Sequence, residues 1–306
     1  MIHIACNIDH RYVRHCAVTM VSVLENNKGH DVAFHVLARE LDDADVQLLT
    51  QLCGKYGAAC HFYTPTPEML EGFCIRKFKD RISMATYFRC LLSDLLPETV
   101  ERVIYLDCDI VVLHDLGGLW DTDLTGVGAA AVEDMACDDL RRYDTLCYPA
   151  EKSYFNAGML VVNLAYWREH NVPKLCADYY RQYPERILFN DQDLLNSVLQ
   201  DSKRLVDLRW NVQDGFYRYR RITDEWRRKF ALALKDPYIL HYTNRKPWDY
   251  DSQHPLRQLY FDYLDLTPFK GQRPWHNPLN VVRRFGRLLP FRLRLRRPKY
   301  LKMSAL

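Results

Sequence analysis

Short apolar segments alternate with amphipathic ones through the first part of the chain, and this alternation restricts the fold more than any other feature. Apolar runs predict strands at 2–6, 32–37 and 58–63, and apolar residues at helical spacing predict helices at 13–25 and 43–56. Strands that alternate with helices form βαβ units around a mainly parallel sheet. We therefore predict an α/β fold in which helices flank a mainly parallel, mixed sheet.

The next two elements predict where a ligand binds. A helix is predicted near 86–95, where Pro97 follows, and the apolar run at 102–106 predicts another strand. Ligands of open α/β sheets bind at the carboxyl ends of the strands. The residues after Ala5 and after Leu106 are therefore the first candidates for a binding site.

Composition places the chain among globular proteins. It has 306 residues, 48% apolar and 26% charged, which suffices for one large domain or two small ones and excludes disorder of the whole. No run approaches the roughly 18 apolar residues that cross a bilayer, and the start lacks the pattern of a secretory signal. We expect neither an integral membrane protein nor one secreted by a standard signal.

The cysteines do not match the common zinc or redox motifs, since no two of them form Cys-x-x-Cys. In a long chain without a secretory start, we expect them to be reduced and mostly buried. The ten are Cys6, Cys16, Cys53, Cys60, Cys74, Cys90, Cys108, Cys137, Cys147 and Cys176.

Charge is distributed unevenly along the chain. Of the 42 Lys and Arg residues, 11 lie in 266–306, a segment without Asp or Glu. The first 265 residues therefore carry 31 basic and 39 acidic residues, a net charge of −8. We divide the chain into a body, residues 1–265, and a basic tail, residues 266–306. An acidic body is a poor platform for phosphates, so we expect no nucleic-acid partner.

The tail interleaves its basic residues with apolar ones such as Phe285, Leu289 and Leu295. Apolar side chains insert at the headgroup boundary of a bilayer while Arg and Lys contact lipid phosphates. The pattern therefore favours an anionic membrane surface as the partner of the tail, and the alternative is a solvated, disordered tail. Pro290 and Pro298 are expected to break any long helix here.

Two carboxylates, Asp107 and Asp109, follow the predicted strand at 102–106. Alternate side chains of an extended backbone share a face, so these two can converge on one hard cation. Buried charge is costly, so an apolar strand does not end in two carboxylates without a compensating partner. The pair indicates a divalent-metal site, and the alternative is a solvated turn.

Seven blocks of sequence, taken in order, carry a resemblance to a known family. The blocks are 4–9, 86–89, 105–109, 119–124, 154–164, 190–196, and 241–242 with 246–248. With these blocks the chain resembles glycosyltransferase family 8, whose retaining nucleotide-sugar transferases include bacterial lipopolysaccharide galactosyl- and glucosyltransferases. The resemblance implies a GT-A (nucleotide-diphospho-sugar transferase) fold for residues 1–265, a UDP-sugar donor and a bound Mn²⁺ ion.

The resemblance implies that Asp107, Asp109 and His241 are the metal ligands. Carboxylates, an imidazole and diphosphate oxygens form a mixed set that suits Mn²⁺, or Mg²⁺, better than zinc. Taken alone, His241 after an apolar run is more typical of a core histidine. The block departs from the family pattern, because Asn244-Arg245 occupy the stretch in which the family usually has a glycine.

The resemblance also implies the residues that hold the nucleotide. They are Ala5, Asn7, Asp9, Cys108 and Lys246. An Asn amide at position 7 can pair with both donors and acceptors of uracil, Asp9 is expected to hold a ribose hydroxyl, and the Lys246 ammonium is expected on the diphosphate. His10 or Tyr12 is the candidate to stack on the base. The alternative for Asn7 and Asp9 is a helix N-cap.

Five residues match the family's contacts to the donor sugar and diphosphate. They are Arg89, Asn156, Ala157, Asp191 and Gln192. Amides and carboxylates fork onto neighbouring hydroxyls and thereby select the epimer. The alternatives are a turn at 156–158 and a helix start at 190–193. For Arg89 the alternative is an exposed helix residue paired with Asp94 or Glu98.

Gln192 and Asp191 are the candidate catalytic residues. Retention through two inversions needs a carboxylate on the far face of the sugar, which Asp191 or Asp193 would have to supply. Because Gln192 is a poor nucleophile, we favour front-face attack, in which the acceptor enters on the side from which UDP leaves. The resemblance also implies an acidic residue near the acceptor or sugar, at Asp134 or, in the other register, at Glu133.

We therefore expect an enzyme that moves galactose or glucose from UDP-galactose or UDP-glucose to lipopolysaccharide or another cell-surface glycan. Its expected place is cytoplasmic, peripheral at the inner face of the plasma membrane through the basic tail. The alternative is a catalytically inactive GT-A-like protein that binds carbohydrate or nucleotide.

Overall fold

The computed structural model describes residues 1–74, 83–136, 139–218 and 223–305. A seven-stranded sheet and a three-stranded sheet form its centre. The strands are β1 (Ile2–Ile8), β2 (Val32–Ala38), β3 (Ala59–Tyr63), β4 (Arg102–Leu106), β5 (Ile110–Val112), β6 (Ala129–Glu133), β7 (Phe155–Asn163), β8 (Lys203–Leu205), β9 (Val212–Gln213) and β10 (Ile239–His241).

The large sheet has the strand order β3-β2-β1-β4-β7-β6-β8. Its neighbouring strands pair in parallel except for β7, which runs antiparallel to both β4 and β6. At the centre Ile4 of β1 lies opposite Ile104 of β4, so the carboxyl ends of these strands deliver Asn7 and Asp107 to the same edge. The prediction of a mainly parallel, mixed sheet is confirmed.

Helices cover both faces of the sheet. They are α1 (Val13–Asn26), α2 (Asp43–Gly54), α3 (Leu92–Leu95), α4 (Gly117–Trp120), α5 (Leu140–Leu146), α6 (Leu164–Glu169), α7 (Val172–Gln182), α8 (Asp191–Val198), α9 (Asp224–Lys235), α10 (Arg257–Leu264) and α11 (Pro278–Arg292). Local sequence sets several of the starts. Asp42 caps α2 by accepting a 2.8 Å hydrogen bond from the Asp45 amide, and Pro278 occupies the first turn of α11.

The core lies on both faces of the large sheet. On one face Ile4 and Ile104 pack with Val21 of α1, and on the other Tyr105 packs in a cluster with Trp167 of α6. All five side chains are removed from water, and burial of apolar surface is the dominant stabilising contribution to a fold. The two faces together hold the ends of β1 and β4 in fixed positions.

The three-stranded sheet carries a distant histidine to the tip of β4. Strand β10 runs antiparallel to β5, with His241 opposite Ile110, and the Tyr242 amide donates a 3.0 Å hydrogen bond to the Asp109 carbonyl. This pairing places His241 beside residues that precede it in sequence by more than a hundred positions.

The tail folds back onto the body. Helix α11 contains Pro290 in its last turn and ends at Arg292, so the predicted break at this proline does not occur. After the helix, Tyr300 pairs with Arg218 in an isolated bridge, and the Leu301 amide donates a 2.8 Å hydrogen bond to the Tyr217 carbonyl. Tyr300 and Leu301 are only 7% and 3% exposed. The end of the tail is therefore packed into the body.

Three further predictions can be compared with the structure, and their outcomes differ. The helix predicted at 86–95 is a 3₁₀ helix, Met84–Leu91, followed by the short helix α3. The segment 156–158 is not a turn, because it lies within β7. Nine of the ten cysteines are described and all nine are free, although Cys74 and Cys147 are exposed; Cys137 lies outside the described residues.

Among the described residues no helix combines the length and apolar character of a membrane span.

Candidate active site

A cleft of about 690 Å³ opens at the edge of the sheet where β1 and β4 end. Most of the predicted site residues line it. They are Asn7, Asp9, Arg89, Asp107, Cys108, Asp109, Asn156, Gln192, His241 and Lys246. Three predicted residues, Ala5, Ala157 and Asp191, are buried behind this lining. The fold thus gathers into one cleft residues predicted from six of the seven sequence blocks.

The three predicted metal ligands form a compact cluster. The nearest ligand atoms of Asp107, Asp109 and His241 all lie within 4.8 Å of one another. His241 Nε2 is 3.1 Å from Asp109 Oδ1 and 3.7 Å from Asp107 Oδ2. The two carboxylates therefore face the same ring nitrogen across the floor of the cleft.

Hydrogen bonding selects the ring nitrogen of His241 that faces these carboxylates. Nδ1 donates to Asn211 Oδ1 at 2.9 Å, so in the neutral imidazole Nε2 carries a lone pair. Asp109 Oδ1 is buried, and within the described chain it accepts no hydrogen bond. Two facing lone pairs repel unless a cation lies between them. The donor set, two carboxylates and one imidazole, fits Mn²⁺ or a similar divalent ion.

Gly158 makes room for the histidine ring. A Cβ atom at this position would lie 2.1 Å from His241 Cε1 and 2.8 Å from Asp107 Oδ2, and the Gly158 carbonyl accepts a 2.8 Å hydrogen bond from the Asp107 amide. A glycine inside a strand marks a close approach of this kind.

Lys246 contributes a positive charge to the floor of the cleft, beside the metal-ligand cluster. Its ammonium pairs with the second carboxylate oxygen of Asp109 and donates a 2.8 Å hydrogen bond to the Tyr242 carbonyl. Burial raises the pKa of Asp109, but the positive charge of Lys246 beside it outweighs burial and holds that pKa well below its ordinary value. Asp109 is therefore ionised throughout the physiological range.

Arg89 links the metal-ligand cluster to helix α8. Its guanidinium lies 2.7 Å from Asp107 and 3.0 Å from Asp191, and it also donates to the Ala157 carbonyl at 2.7 Å. The side chain is buried, at 6% exposure for the residue, so the alternative of an exposed helix residue is wrong. One cation thereby neutralises two carboxylates that would otherwise repel each other.

Asp191 is the buried partner of that arginine. Burial raises the pKa of Asp191 to about 6, against the opposing influence of Arg89 and of a hydrogen bond from the Thr86 hydroxyl. The carboxylate does not line the cleft. It supports Arg89 from behind.

Gln192 lines the cleft with its amide held at both ends. Its Oε1 accepts hydrogen bonds from the Ala157 amide at 3.0 Å and from Asn156 Nδ2 at 3.1 Å, while its Nε2 donates to Asp134 Oδ2 at 3.1 Å. These partners fix which end of the amide is oxygen. The side chain is therefore oriented before any ligand binds.

The two acidic candidates, Asp134 and Glu133, differ in their position relative to the cleft. Asp134 lines the cleft and Glu133 does not. Asp134 is paired at 2.9 Å with Arg142, whose guanidinium stacks 4.1 Å from the Phe189 ring centre. Sequence reasoning missed Arg142 and Asn211, because neither lies in a recognisable motif. Tertiary packing brings Arg142 to the cleft and buries Asn211 against His241.

Asp193 stabilises the entry to α8 and does not line the cleft. Its carboxylate accepts hydrogen bonds from the Leu188 and Phe189 amides at 2.7 and 2.6 Å and from the Tyr154 hydroxyl at 2.5 Å. Helix α8 starts at Asp191, as the helix-start alternative proposed, and the side chain of the preceding residue makes no cap hydrogen bond.

The end of β1 offers one free acceptor to the cleft. Asn7 donates a 2.7 Å hydrogen bond to the Ala85 carbonyl, and its oxygen contacts the Tyr105 hydroxyl. Asp9 pairs with Arg11 at 3.0 Å through one oxygen, while its Oδ1 is buried and finds no hydrogen-bond partner in the described chain. Asp9 occupies the N-cap position of the 3₁₀ helix His10–Tyr12, but its side chain makes no cap hydrogen bond.

The two candidates for base stacking differ in position. His10 is exposed and its ring nitrogen lies 2.5 Å from Asp45 of α2, so it does not line the cleft. Tyr12 lines the cleft and makes edge contacts with His15 and Trp248. Of the two, Tyr12 therefore remains the candidate to stack on the base.

Comparison with known proteins assigns the family. The model of the family described as glycosyl transferase family 8 matches residues 3–252. The chain belongs to glycosyltransferase family 8 and is a glycosyltransferase, which implies a nucleotide-sugar donor and a glycan acceptor.

Individual relatives agree with this assignment. General stress protein A of Bacillus subtilis (strain 168) is 28% identical over 274 residues, covering 87% of this chain and 94% of that protein. Lipopolysaccharide 1,3-galactosyltransferase of Salmonella typhimurium is 29% identical over 286 residues, covering 87% and 79%. The structure of galactosyltransferase LgtC with donor and acceptor sugar analogs matches with a TM-score of 0.78 at 26% identity, covering 87% of this chain and 96% of that one. The GT-A fold prediction is confirmed.

Proposed function

We propose that this enzyme transfers galactose or glucose from UDP-galactose or UDP-glucose, with retention, to lipopolysaccharide or another cell-surface glycan. The observation that carries the proposal is the convergence of Asp107, Asp109 and His241 in the cleft, with an unpartnered carboxylate oxygen 3.1 Å from the ring nitrogen. A protein that had lost catalysis would have no need to keep this costly arrangement.

The cluster would hold Mn²⁺, or Mg²⁺ in its place, through Asp107, Asp109 and His241. When bound, such an ion supplies Lewis-acid stabilisation of the diphosphate leaving group. Lys246 adds a further positive charge beside Asp109 and is suited to contact a phosphate oxygen. The free Oδ1 of Asp9 is suited to accept a hydrogen bond from a ribose hydroxyl.

Gln192 is proposed to orient the donor sugar and to stabilise its oxocarbenium-like transition state. Its fixed amide supports this role, because a preorganised dipole costs no reorganisation during the reaction. Asp191 is occupied by Arg89, and Asp193 by backbone amides, so neither is free to act as a nucleophile. We therefore favour front-face attack, with the leaving phosphate oxygen taking the proton of the acceptor.

Mass spectrometry distinguishes the two routes to retention. We expect no covalent sugar on the intact enzyme after rapid quenching with either donor. A trapped glycosyl ester on Asp191 or Asp193 would show double displacement and would overturn the front-face proposal while leaving the assigned reaction intact.

The tail is proposed to hold the enzyme at the inner face of an anionic membrane. Its apolar residues Val282, Phe285 and Leu295 are 70%, 54% and 75% exposed, which is unusual for side chains of this size. They lie among arginines with no acidic residue in the tail to neutralise them. Apolar insertion combined with contacts to lipid phosphates supports a peripheral attachment.

Hydrolysis of the donor tests the proposal most directly. Release of UDP from UDP-galactose and from UDP-glucose is measured with Mn²⁺ and then with EDTA. We expect one donor to be preferred and EDTA to abolish turnover. Asp109→Asn should behave like EDTA treatment, whereas Asp115→Asn, at an exposed carboxylate paired with His30, should match the wild type. Full turnover in EDTA would contradict the proposal.

A further inference from the structure

A second cavity, of about 320 Å³, lies between the tail and the loop at 245–253. We call it the basic cavity. The tail contributes α11 and the segment that follows it, and the loop contributes residues next to the cleft. Its charged lining residues are Arg245, Asp251, Arg287, Arg296 and Lys299. A volume of this size is at the lower end of the roughly 300–1,000 Å³ that small-molecule sites occupy.

Positive charge in the basic cavity exceeds negative charge. Four cations face one carboxylate, a formal charge of +3. That carboxylate, Asp251, is already shared, because Arg287 lies 2.9 Å from one of its oxygens and Arg245 lies 3.4 Å from the other. Arg245 also lies 3.9 Å from Asp249, which is outside the lining. Arg296 and Lys299 form no ion pair with any residue that the structure describes. The cavity therefore holds two cations without a counter-ion.

Two further arginines hold the loop that contributes to the lining of the basic cavity. Arg284 donates to the Tyr250 carbonyl, and Arg257 donates to the Ser252 carbonyl at 2.9 Å, so both guanidiniums hold the same loop. Arg257 Nη2 is buried and has no hydrogen-bond partner within the described chain. Burial and then Arg284 lower the pKa of Arg257 to about 10. Cations crowd this region without enough acidic partners, so an anion would stabilise it.

A phosphate monoester fits this environment better than a carboxylate does. It carries about −1.5 to −2 charges at neutral pH and three strong acceptor oxygens, and guanidinium groups bind phosphate with two parallel hydrogen bonds. A carboxylate brings one negative charge and two oxygens, which would leave most of the excess charge uncompensated.

The basic cavity shares a loop with the cleft. Arg245 lines the basic cavity, while its sequence neighbours Asn244 and Lys246 line the cleft. We propose that the basic cavity binds a phosphate monoester, carried by a soluble sugar phosphate or by a lipid headgroup, next to the site of sugar transfer. This inference concerns binding alone, so it does not depend on the proposed reaction.

Calorimetry with glucose 6-phosphate tests the soluble source, with UDP present throughout to occupy the cleft. The paired variant Arg296→Gln/Lys299→Gln removes the two unpaired cations. The matched control, Arg297→Gln/Lys302→Gln, removes the same charge from two exposed tail residues that do not line the cavity. We expect the cavity pair to weaken binding by about tenfold or more and the control pair by less than about twofold.

Vesicles test the lipid source with the same variants. Phosphatidic acid presents a monoester, whereas phosphatidylserine presents a diester with a comparable headgroup charge. If the wild type prefers phosphatidic acid vesicles and the cavity pair alone loses that preference, the monoester is on a lipid. Equal losses in the two paired variants, in either assay, would show diffuse attraction to the tail and would overturn the proposal. The proposal would also be overturned if the wild type neither bound glucose 6-phosphate nor preferred phosphatidic acid vesicles.

Discussion

His241 Nδ1 and Asn211 Oδ1 lie 2.9 Å apart, and this hydrogen bond holds the imidazole with Nε2 toward Asp107 and Asp109. Asn211 is fully buried and also donates a 2.9 Å hydrogen bond to Asn156 Oδ1. A residue with no contact to a ligand therefore connects the metal-ligand cluster to the proposed sugar pocket.

Asn211→Leu should weaken binding of the divalent ion and so raise the Mn²⁺ concentration that catalysis needs. Without its acceptor the ring of His241 loses its preferred tautomer, and outer partners of this kind change metal affinity by about 10–100-fold. The Mn²⁺ concentration for half-maximal donor hydrolysis measures the effect. Asn211→Asp keeps an oxygen acceptor and should retain most of the affinity. An unchanged Mn²⁺ requirement in the Leu variant would show that the hydrogen bond does not orient the ring.

Gly158→Ala should disrupt the metal-ligand cluster by displacing the His241 ring. The added methyl would lie 2.1 Å from His241 Cε1, so the ring has to move, and a displacement of about 1 Å at a reacting centre costs on the order of 100-fold in rate. Donor hydrolysis measures the loss. Gly54→Ala, where no atom lies within 4 Å of the new Cβ, is the matched control, and wild-type activity of Gly158→Ala would contradict the close approach.

Because of Asp191, the free energy of unfolding should decrease as the pH rises toward neutrality. Burial raises the Asp191 pKa from 3.8 to about 6, so the unfolded chain releases this proton first. The stability contributed by Asp191 is present below its ordinary pKa and is lost as pH rises through about 6, a loss on the order of 3 kcal/mol. Urea unfolding from about pH 4 to about pH 7 measures the difference between wild type and Asp191→Asn. A difference that stays constant over this range would contradict the raised pKa.

Tyr300→Phe should destabilise the whole chain. The Tyr300 hydroxyl donates a 2.6 Å hydrogen bond to the fully buried Asp214, and loss of a partner by a buried acceptor costs about 1–3 kcal/mol. The free energy of unfolding in urea measures the change. Tyr250→Phe, at a less buried tyrosine, is the comparison, and equal effects of the two substitutions would show that the hydrogen bond to Asp214 adds nothing.

Phe285→Ser combined with Leu295→Ser should weaken attachment to vesicles that contain phosphatidylglycerol. Both side chains are exposed on the tail, so their replacement removes apolar insertion without opening the core. Co-sedimentation measures the bound fraction. Leu140→Ser combined with Leu232→Ser removes two exposed leucines of the body and should bind like the wild type. Unchanged binding of the first pair would contradict the membrane proposal.

Apolar periodicity, a local signal, predicted the parallel half of the sheet, and the pair Asp107 and Asp109 indicated a metal site from sequence alone. His241 was added to the pair only by the resemblance to the family. Sequence reasoning did not predict the role of Asn211, since that residue reaches the cluster only through pairing of β9 with β10. It assigned no role to Gly158 and offered a turn at 156–158 only as an alternative, because a close approach of strand and ring depends on tertiary packing.

The structure of the tail was also difficult to predict from the sequence. Proline in a helix interior usually ends the helix, but Pro290 lies close to the end of α11, where the helix terminates anyway. The burial of Tyr300 and Leu301 was not evident from a segment dominated by arginine. Their partners, Asp214 and Tyr217, are more than eighty residues away in sequence, and no local pattern connects them.

Since residues 300 and 301 are inserted into the body, the arginine-rich helix cannot swing as a loose tether does. It lies against the body, where Leu288 is buried and Arg287 pairs with Asp251, so its position is set. If that helix rests on lipid, the mouth of the cleft stands at one height above the bilayer. Sugar chains would then be chosen partly by length, because only hydroxyl groups that protrude to that height could reach the reaction.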